Sequence, residues 1–222
     1  KANAGFAVLT KSETREALLE GLIKIFAFIG SVPTTIWFDQ MSSAALRTRD
    51  EKGIVQVAGF VQRFATHYGF AIKFCNPESG HEKGNVERKV GTIRRNLFVP
   101  EPEITNLEAY NNDLLEKCQT LNKENHYIHK IPKEQIFVEE KVMMVPMNTA
   151  PFDTAKYESR KVNKYGLVDY ETCKYSASPS YVGQSVTLKV MANTIDIFAK
   201  DLYDKISSHP RLFGDKEESI HH

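Results

Sequence analysis

An α/β layer with a largely parallel sheet, followed by a smaller all-β module, is the architecture this sequence predicts. Three observations lead there. Over the first hundred residues, apolar runs of strand type alternate with runs at helical spacing, the pattern of strand–helix–strand crossovers. Near Met147 to Pro151 the texture changes to short β-rich runs separated by turn residues. The length of 222 residues fits one full domain and a fraction, enough to bury a core without disulfide or metal staples.

In order, Phe6 to Thr10 (FAVLT) reads as a short buried strand. Ser12 is a good helix N-cap, and Glu13 and Glu16 suit the positive end of the helix that follows. Leu18, Leu19, Leu22, Ile23, Phe26 and Ile29 recur at helical spacing until Gly30 stops them. Val32-Pro33 connects to Thr34–Phe38 (TTIWF), a β-branched and aromatic strand that delivers Asp39 at its C-terminal end. The polar stretch from Arg47 to Gly53 leads into a helix whose apolar face is Val57, Phe60, Val61, Phe64 and Tyr68, closed by Gly69. Ala71 to Cys75 is the next strand, ended by Asn76-Pro77. Glu78 to Asn85 (ESGHEKGN) reads as a polar loop. A third helix follows, with Val86, Val90, Ile93 and Leu97 as its stripe, before Pro100 and Pro102. Leu107 to Leu121 predicts a fourth helix, and Pro132 opens a fifth containing Ile136 and Phe137. In the C-terminal part, Lys161–Val168, Lys174–Ala177, Ser185–Val190 and Thr194–Phe198 read as strands of a small β-barrel. The expected domains are 1–100, a helical extension 101–148, a β-barrel module 149–215 and a tail 216–222. The run opens on Lys1 without an initiator Met and reads as a piece of a longer protein.

The charge balance, 29 Lys+Arg against 28 Asp+Glu, excludes a bulk polycation, so nucleic-acid binding must come from local patches. Cys75, Cys118 and Cys173 form no C-x-x-C pair, which argues against a zinc site or disulfide framework and for reduced thiols in the cytoplasm. No apolar run reaches the roughly 18 residues that span a bilayer. No P-loop or nucleophile elbow is present.

Asp39 ends a buried strand, and Glu87 lies in the first turn of the helix after the Gly-containing loop. One helix and one strand separate them, and a parallel crossover of that kind makes the strands neighbours, so the two carboxylates can converge. Paired carboxylates suit hard cations such as Mg²⁺ (or Mn²⁺) and the two-metal chemistry of phosphodiesters. The plainer reading is a loop-capping Asp39 and a helix-dipole Glu87. Basic residues gather beside Glu87: Lys83, Arg88, Lys89, Arg94 and Arg95 against Glu82 and Glu87 over His81 to Pro100. They suit DNA backbone contacts, or simply a solvated helix face. Lys156, Arg160, Lys161 and Lys164, with Tyr157 and Tyr165 interleaved, form a second cluster open to DNA contact or to protein packing. His126 and His129 at i,i+3 suit capping or surface roles better than metal binding, and His67 a structural one.

Asn76-Pro77-x-Ser79 followed by Gly84-Asn85-Val86-Glu87 resembles the N-P-x-S-x-G-x-x-E signature of integrase-type phosphotransferases, with three extra residues after the Ser. Together with IWFDQMSSAA, FCNPESGHEKGNVERKVGTIRRN and the E-N-H-Y-x-H-K-I-P segment, the chain resembles IstA-type insertion-sequence transposases of the DDE group over nearly its whole length. The resemblance implies an RNase H-like (integrase-type) catalytic core lacking its first strands, with Asp39 and Glu87 as the second and third acidic ligands of Mg²⁺. It implies DNA substrates (element ends and target), a homo-multimer assembled on DNA, a helper ATPase, and a place at the bacterial nucleoid. Lys83, Arg88, Lys89, Arg94, Arg95 and Lys161 become candidate DNA contacts. No Asp precedes Asp39, and Glu13, Glu16 and Glu20 lie on a helix unsuited to replace it. Gln40 stands where related enzymes often have Asn. The chain alone is therefore expected not to process DNA ends. A non-catalytic, DNA- or subunit-binding remnant and an RNase H-like nuclease remain the alternatives.

Overall fold

The computed structural model describes residues 2–38, 47–49, 55–74, 80–214 and 217–220, with the side chains of 47–49, 55–56 and 80–86 left aside. The fold is mixed α/β. The chain divides into two compact units: 1–9 with 21–152, and 10–20 with 153–222.

In the first unit, strands β1 (Ser31–Val32) and β2 (Thr35–Phe38) are followed by a hairpin of β3 (Arg47–Arg49) and β4 (Val55–Val57). Helix α2 (Gly59–Tyr68) then leads to β5 (Ala71–Phe74), which pairs with β2 in parallel, Thr35 opposite Ala71 through Phe38 opposite Phe74. The expected crossover is present. Val57 belongs to β4 rather than to the helix, because its backbone pairs with Arg47. Gly69 ends α2 in the left-handed region at φ +76°, a conformation glycine adopts without a Cβ penalty. The core gathers Phe26, Phe64, Tyr68 and Phe70, with Phe64 and Tyr68 rings 4.9 Å apart and Phe26 and Tyr68 5.7 Å apart. Helix α1 (Arg15–Ile29) supplies Phe26 and stops at Gly30, as its spacing predicts. Its cap is Thr14 rather than Ser12, since the Thr14 hydroxyl accepts from the Ala17 N–H.

Phe6 to Thr10 is not a ladder strand. Asn111 and Asn122, both buried, take the place of a neighbouring strand. Asn111 accepts from the Leu9 N–H at 2.7 Å and donates to the Leu9 carbonyl at 2.9 Å. Asn122 does the same for Gly5, at 2.9 and 3.1 Å. A carboxamide carries one acceptor and one donor group, as a peptide unit does, and so can close the same pair of bonds. Both Asn side chains come from one element: α4 (Leu107–Leu121), with Asn122 at its C-cap. Asn122→Ala and Asn111→Ala should each cost about 1–3 kcal/mol, because backbone groups lose their partners. Urea melts of the two variants and of Asn122→Asp check this, and stability within about 0.5 kcal/mol of the parent would refute the clamp.

The remaining elements are α3 (Gly80–Leu97), α5 (Lys133–Lys141) and β6 (Val145–Pro146), which pairs antiparallel with β1. Helix α3 starts at Gly80, so the ESGHEKGN segment is helical from its third residue rather than a loop. The two glycines that suggest a loop, Gly80 and Gly84, cost a helix about 1 kcal/mol each, and the other residues of the turn are ordinary helix formers.

In the second unit, β12 (Lys205–Pro210), β11 (Thr194–Ala199), β10 (Ser185–Val190) and β7 (Lys156–Lys161) form an antiparallel sheet in that order. A second sheet holds β13 (Glu218–Ser219), β9 (Cys173–Ser176) and β8 (Leu167–Tyr170). Val168, Tyr170, Cys173 and Tyr175 of one sheet share a buried core with Val186, Leu188, Val190, Ile195 and Ile197 of the other. The expected closed barrel is absent among the described residues. Two open sheets face each other instead, since the turn at Asn163–Gly166 passes the chain from β7 to β8 in a different sheet. The expected strand from Lys161 to Val168 therefore spans that turn. Lys205–Pro210 escapes sequence reading because it is polar and ends in Pro, as an edge strand can.

Candidate functional site

The parallel pair β2–β5 has two chemically different faces. Ile36 and Ile72, then Phe38 and Phe74, are register partners, with the last two rings 6.3 Å apart. Phe38 is buried. On the alternate positions stand Thr35 with Ala71, and Trp37 with Lys73. The described pairing runs in register as far as Phe38 and Phe74. Asp39, the next residue of the chain, lies outside the described residues, as do Cys75 and the Asn-Pro-x-Ser segment.

Helix α3 carries Glu87 on an exposed position. Because the helix begins at Gly80, Glu87 is the eighth helical residue and sits in the third turn, not the first. The macrodipole acts within the first turn only, so the helix-dipole explanation for this carboxylate falls away. Among the described residues, no hydrogen bond or ion pair engages the Glu87 carboxylate, which leaves its oxygens open to a cation or to water. The described residues contain no group of three His, Cys, Asp or Glu arranged to hold a metal.

The basic residues of α3 divide by environment. Arg88, Arg94 and Arg95 are exposed, and no ion pair holds their guanidinium groups among the described residues. Seven positions separate Glu87 from Arg94 and Arg88 from Arg95, so each pair lies on nearly one line about 10.5 Å long. The Arg95 guanidinium leans over Gly91, close enough to touch a Cβ placed there at 3.4 Å. Lys89 differs. Its aliphatic stem packs on the bare backbone of Gly5, where a Cβ would overlap it. Burial pulls the Lys89 ammonium below its ordinary value, with Lys133 adding to the effect and Glu124 opposing it. Val90, on the expected apolar stripe, is 49% exposed, so the buried face of α3 is rotated toward Lys89. The Lys83 side chain lies outside those described.

In the second unit, Lys161 is exposed at the end of edge strand β7. Lys156 and Arg160 both pair with Glu158, which removes much of the positive charge from that cluster. Lys164 lies over the Tyr165 ring at 5.0 Å. The acidic residues of α1 are engaged elsewhere: Glu20 accepts from the Ala192 N–H at 2.9 Å, and Glu16 faces Arg211. Neither carboxylate is free to serve as a cation ligand. His126 accepts through Nδ1 from the N–H groups of Ile128 and His129, and His67 bonds the Ala150 carbonyl, so both are structural as their context suggests. Cys118 and Cys173 are free and buried, and burial pushes the Cys118 thiol up. No helix among the described residues is long and apolar enough to cross a membrane.

The chain is similar to several known proteins. Residues 147–221 match the family model for the C-terminal domain of Mu transposase. A transposase for insertion sequences IS1326/IS1353 from Pseudomonas aeruginosa is 29% identical over 206 residues, which are 91% of this chain and 39% of that protein. A transposase from Aminobacter aminovorans is 31% identical over 190 residues, 85% of this chain and 37% of the other. The chain thus spans about two-fifths of the length of the curated relatives it matches. Among solved structures, a chain of the simian T-cell lymphotropic virus intasome in complex with PP2A regulatory subunit B56 gamma is similar with a TM-score of 0.41 and 16% identity, covering 90% of this chain and 67% of that one. The likeness read from the run around Glu87 is borne out at the level of insertion-sequence transposases.

Proposed function

We propose, from a chain homologous over 91% of its length to an insertion-sequence transposase, that this protein is part of an enzyme that cuts and joins DNA by phosphoryl transfer. The observation that carries the reading is the in-register parallel pairing of β2 and β5, followed by α3 with its exposed Glu87, which nothing engages among the described residues. In this reading residues 1–100 are a partial RNase H-like core that lacks its first strands, and 101–148 are a helical extension of it. Asp39 and Glu87 would hold Mg²⁺ or Mn²⁺, since hard cations take oxygen ligands and Glu87 offers free ones. Such ions activate an attacking hydroxyl and stabilise the leaving oxygen in phosphodiester chemistry. Arg94 follows Glu87 along one line of the helix and Arg95 follows Arg88, which suits them to seat successive parts of a DNA backbone. Lys83 and Lys161 serve as further backbone contacts. Lys89 supports α3 against Gly5 rather than meeting DNA.

The substrates are element ends and target DNA, handled by a homo-multimer with a helper ATPase at the nucleoid of a bacterial cytoplasm. The chain supplies two of three carboxylates, so by itself it is not expected to join ends. The test uses the protein extended upstream until a strand bearing an Asp is included. With Mg²⁺ and a labelled element end, joined products support the reading. Hydrolysis without joining favours a nuclease, and neither product sinks the enzyme reading.

DNA seating by α3 makes its own prediction. Arg94→Ala with Arg95→Ala should lower the slope of log affinity against log salt by about 1.8 on duplex DNA, two phosphate contacts at about 0.9 each. Lys89→Ala should leave that slope unchanged. An unchanged slope in the double variant, read by anisotropy across a salt series, would remove α3 from the interface.

A further inference from the structure

Trp37 is the only tryptophan of the chain, and it is 50% exposed on a β-strand. Its register partner across the parallel pair is Lys73, whose Nζ lies 5.1 Å from the indole centroid. Lys73 is exposed and makes no ion pair among the described residues. An exposed large aromatic needs an explanation where a scattered Leu would not, and this one is half-exposed. Its face of the sheet also offers Thr35 and Ala71, which are small. A protein hot spot surrounds its aromatic anchor with contacts that exclude water, whereas among the described residues the only ring contact of the indole is the Lys73 ammonium. What remains is a flat π surface beside an uncompensated cation. A nucleobase stacks on such a surface whatever its sequence, and an ammonium beside it meets the adjoining phosphate.

We infer that Trp37 and Lys73 form a contact site for an unpaired nucleobase and its neighbouring phosphate. The inference rests on the DNA-processing reading and adds two residues and a strand state to it. The site lies two residues before Asp39, so a base held there is a frayed or single-stranded nucleotide close along the chain to the proposed metal ligand. In a duplex, neighbouring pairs cover both faces of a base, so only unpaired or terminal bases reach the indole.

The single tryptophan makes the test direct. The full chain is titrated with an oligothymidylate of about 16 nucleotides, following Trp37 emission with unlabelled DNA and total binding by anisotropy with labelled DNA. Emission should fall saturably in step with the anisotropy rise, while a blunt duplex raises anisotropy with little quenching. Trp37→Ala should weaken single-strand binding about ten-fold, within the range for one stacked base. Because loss of the Trp37 side chain also removes packing from β2, Lys73→Ala is the second variant. It keeps the reporter and should reduce the salt slope by about 0.7, one single-strand phosphate. Anisotropy that rises with unchanged Trp37 emission overturns this site while leaving the DNA reading intact. Emission that shifts with protein concentration alone assigns the face to a second copy and also overturns it. Absence of any DNA binding overturns both.

Discussion

Glu87→Ala and Asp39→Ala are each expected to lower Mg²⁺-dependent end joining by about 10³-fold in the upstream-extended protein. The size follows from metal-ion catalysis, which stabilises the transition state by several kcal/mol, at about 1.4 kcal/mol per decade of rate. The specificity of the prediction comes from the environment of Glu87. Its side chain is exposed, and among the described residues nothing is bonded to it, so removing it costs the fold little. Helix content and thermal midpoint should therefore match the parent, and DNA affinity should change by less than about two-fold in the absence of metal. Arg94→Ala should show the opposite split, with weaker salt-sensitive binding and a smaller loss in rate at saturating DNA. Joining by Glu87→Ala within ten-fold of the parent would end the ligand assignment. Quench-flow rates with preformed DNA complex separate the two effects.

What could be read in advance was the local chemistry. Thr34–Phe38 and Ala71–Cys75 are β-branched and aromatic runs on either side of an amphipathic helix, and Thr35–Phe38 pairs with Ala71–Phe74 as a crossover requires. Gly30 and Gly69 stop their helices because each takes a positive φ. The failures share a cause: partners distant in sequence. Phe6 to Thr10 has the composition of a strand, but Leu9 within it bonds Asn111 and Gly5 just before it bonds Asn122, more than a hundred residues on. Nothing in an isolated Asn signals that it will stand in for a peptide. Lys89 belongs by pattern with the basic face of α3, yet Gly5 offers bare backbone on which its stem can lie. For the site itself, the motif around Glu87 is legible in the sequence, whereas the two glycines before it conceal its helical position. Trp37 with Lys73 is not legible in the sequence, since a cross-strand pair has no signature within either strand.

Arg211→Ala is expected to destabilise the second unit by about 3–5 kcal/mol, the cost of breaking a buried ion-pair network from one side. Arg211 is 3% exposed, yet it carries a full charge. Its guanidinium lies 3.3 Å from Glu171 and 3.8 Å from Glu16, and Nη1 donates to the Met191 carbonyl at 3.2 Å. The rings of Tyr170 and Phe213 lie 5.5 and 5.4 Å from its Cζ. Burial pushes the Tyr170 phenol up to about 12 against the pull of Arg211, so the ring stays neutral beside the cation at any working pH. Alanine removes the charge, the stacking and the volume together, and among the described residues leaves Glu16 with the Arg15 guanidinium at 2.8 Å. Arg211→Met restores much of the volume without the charge, and Arg211→Met with Glu16→Gln removes the stranded carboxylate as well. The double variant should therefore recover part of the loss, since replacing both members of a buried pair costs less than removing one. Urea unfolding followed by near-ultraviolet circular dichroism orders the three variants. Equal midpoints for Arg211→Ala and the parent would show that the buried arginine contributes no net stability. A double variant less stable than Arg211→Met would place the missing energy in Glu16 itself, through bonds other than the one to Arg211.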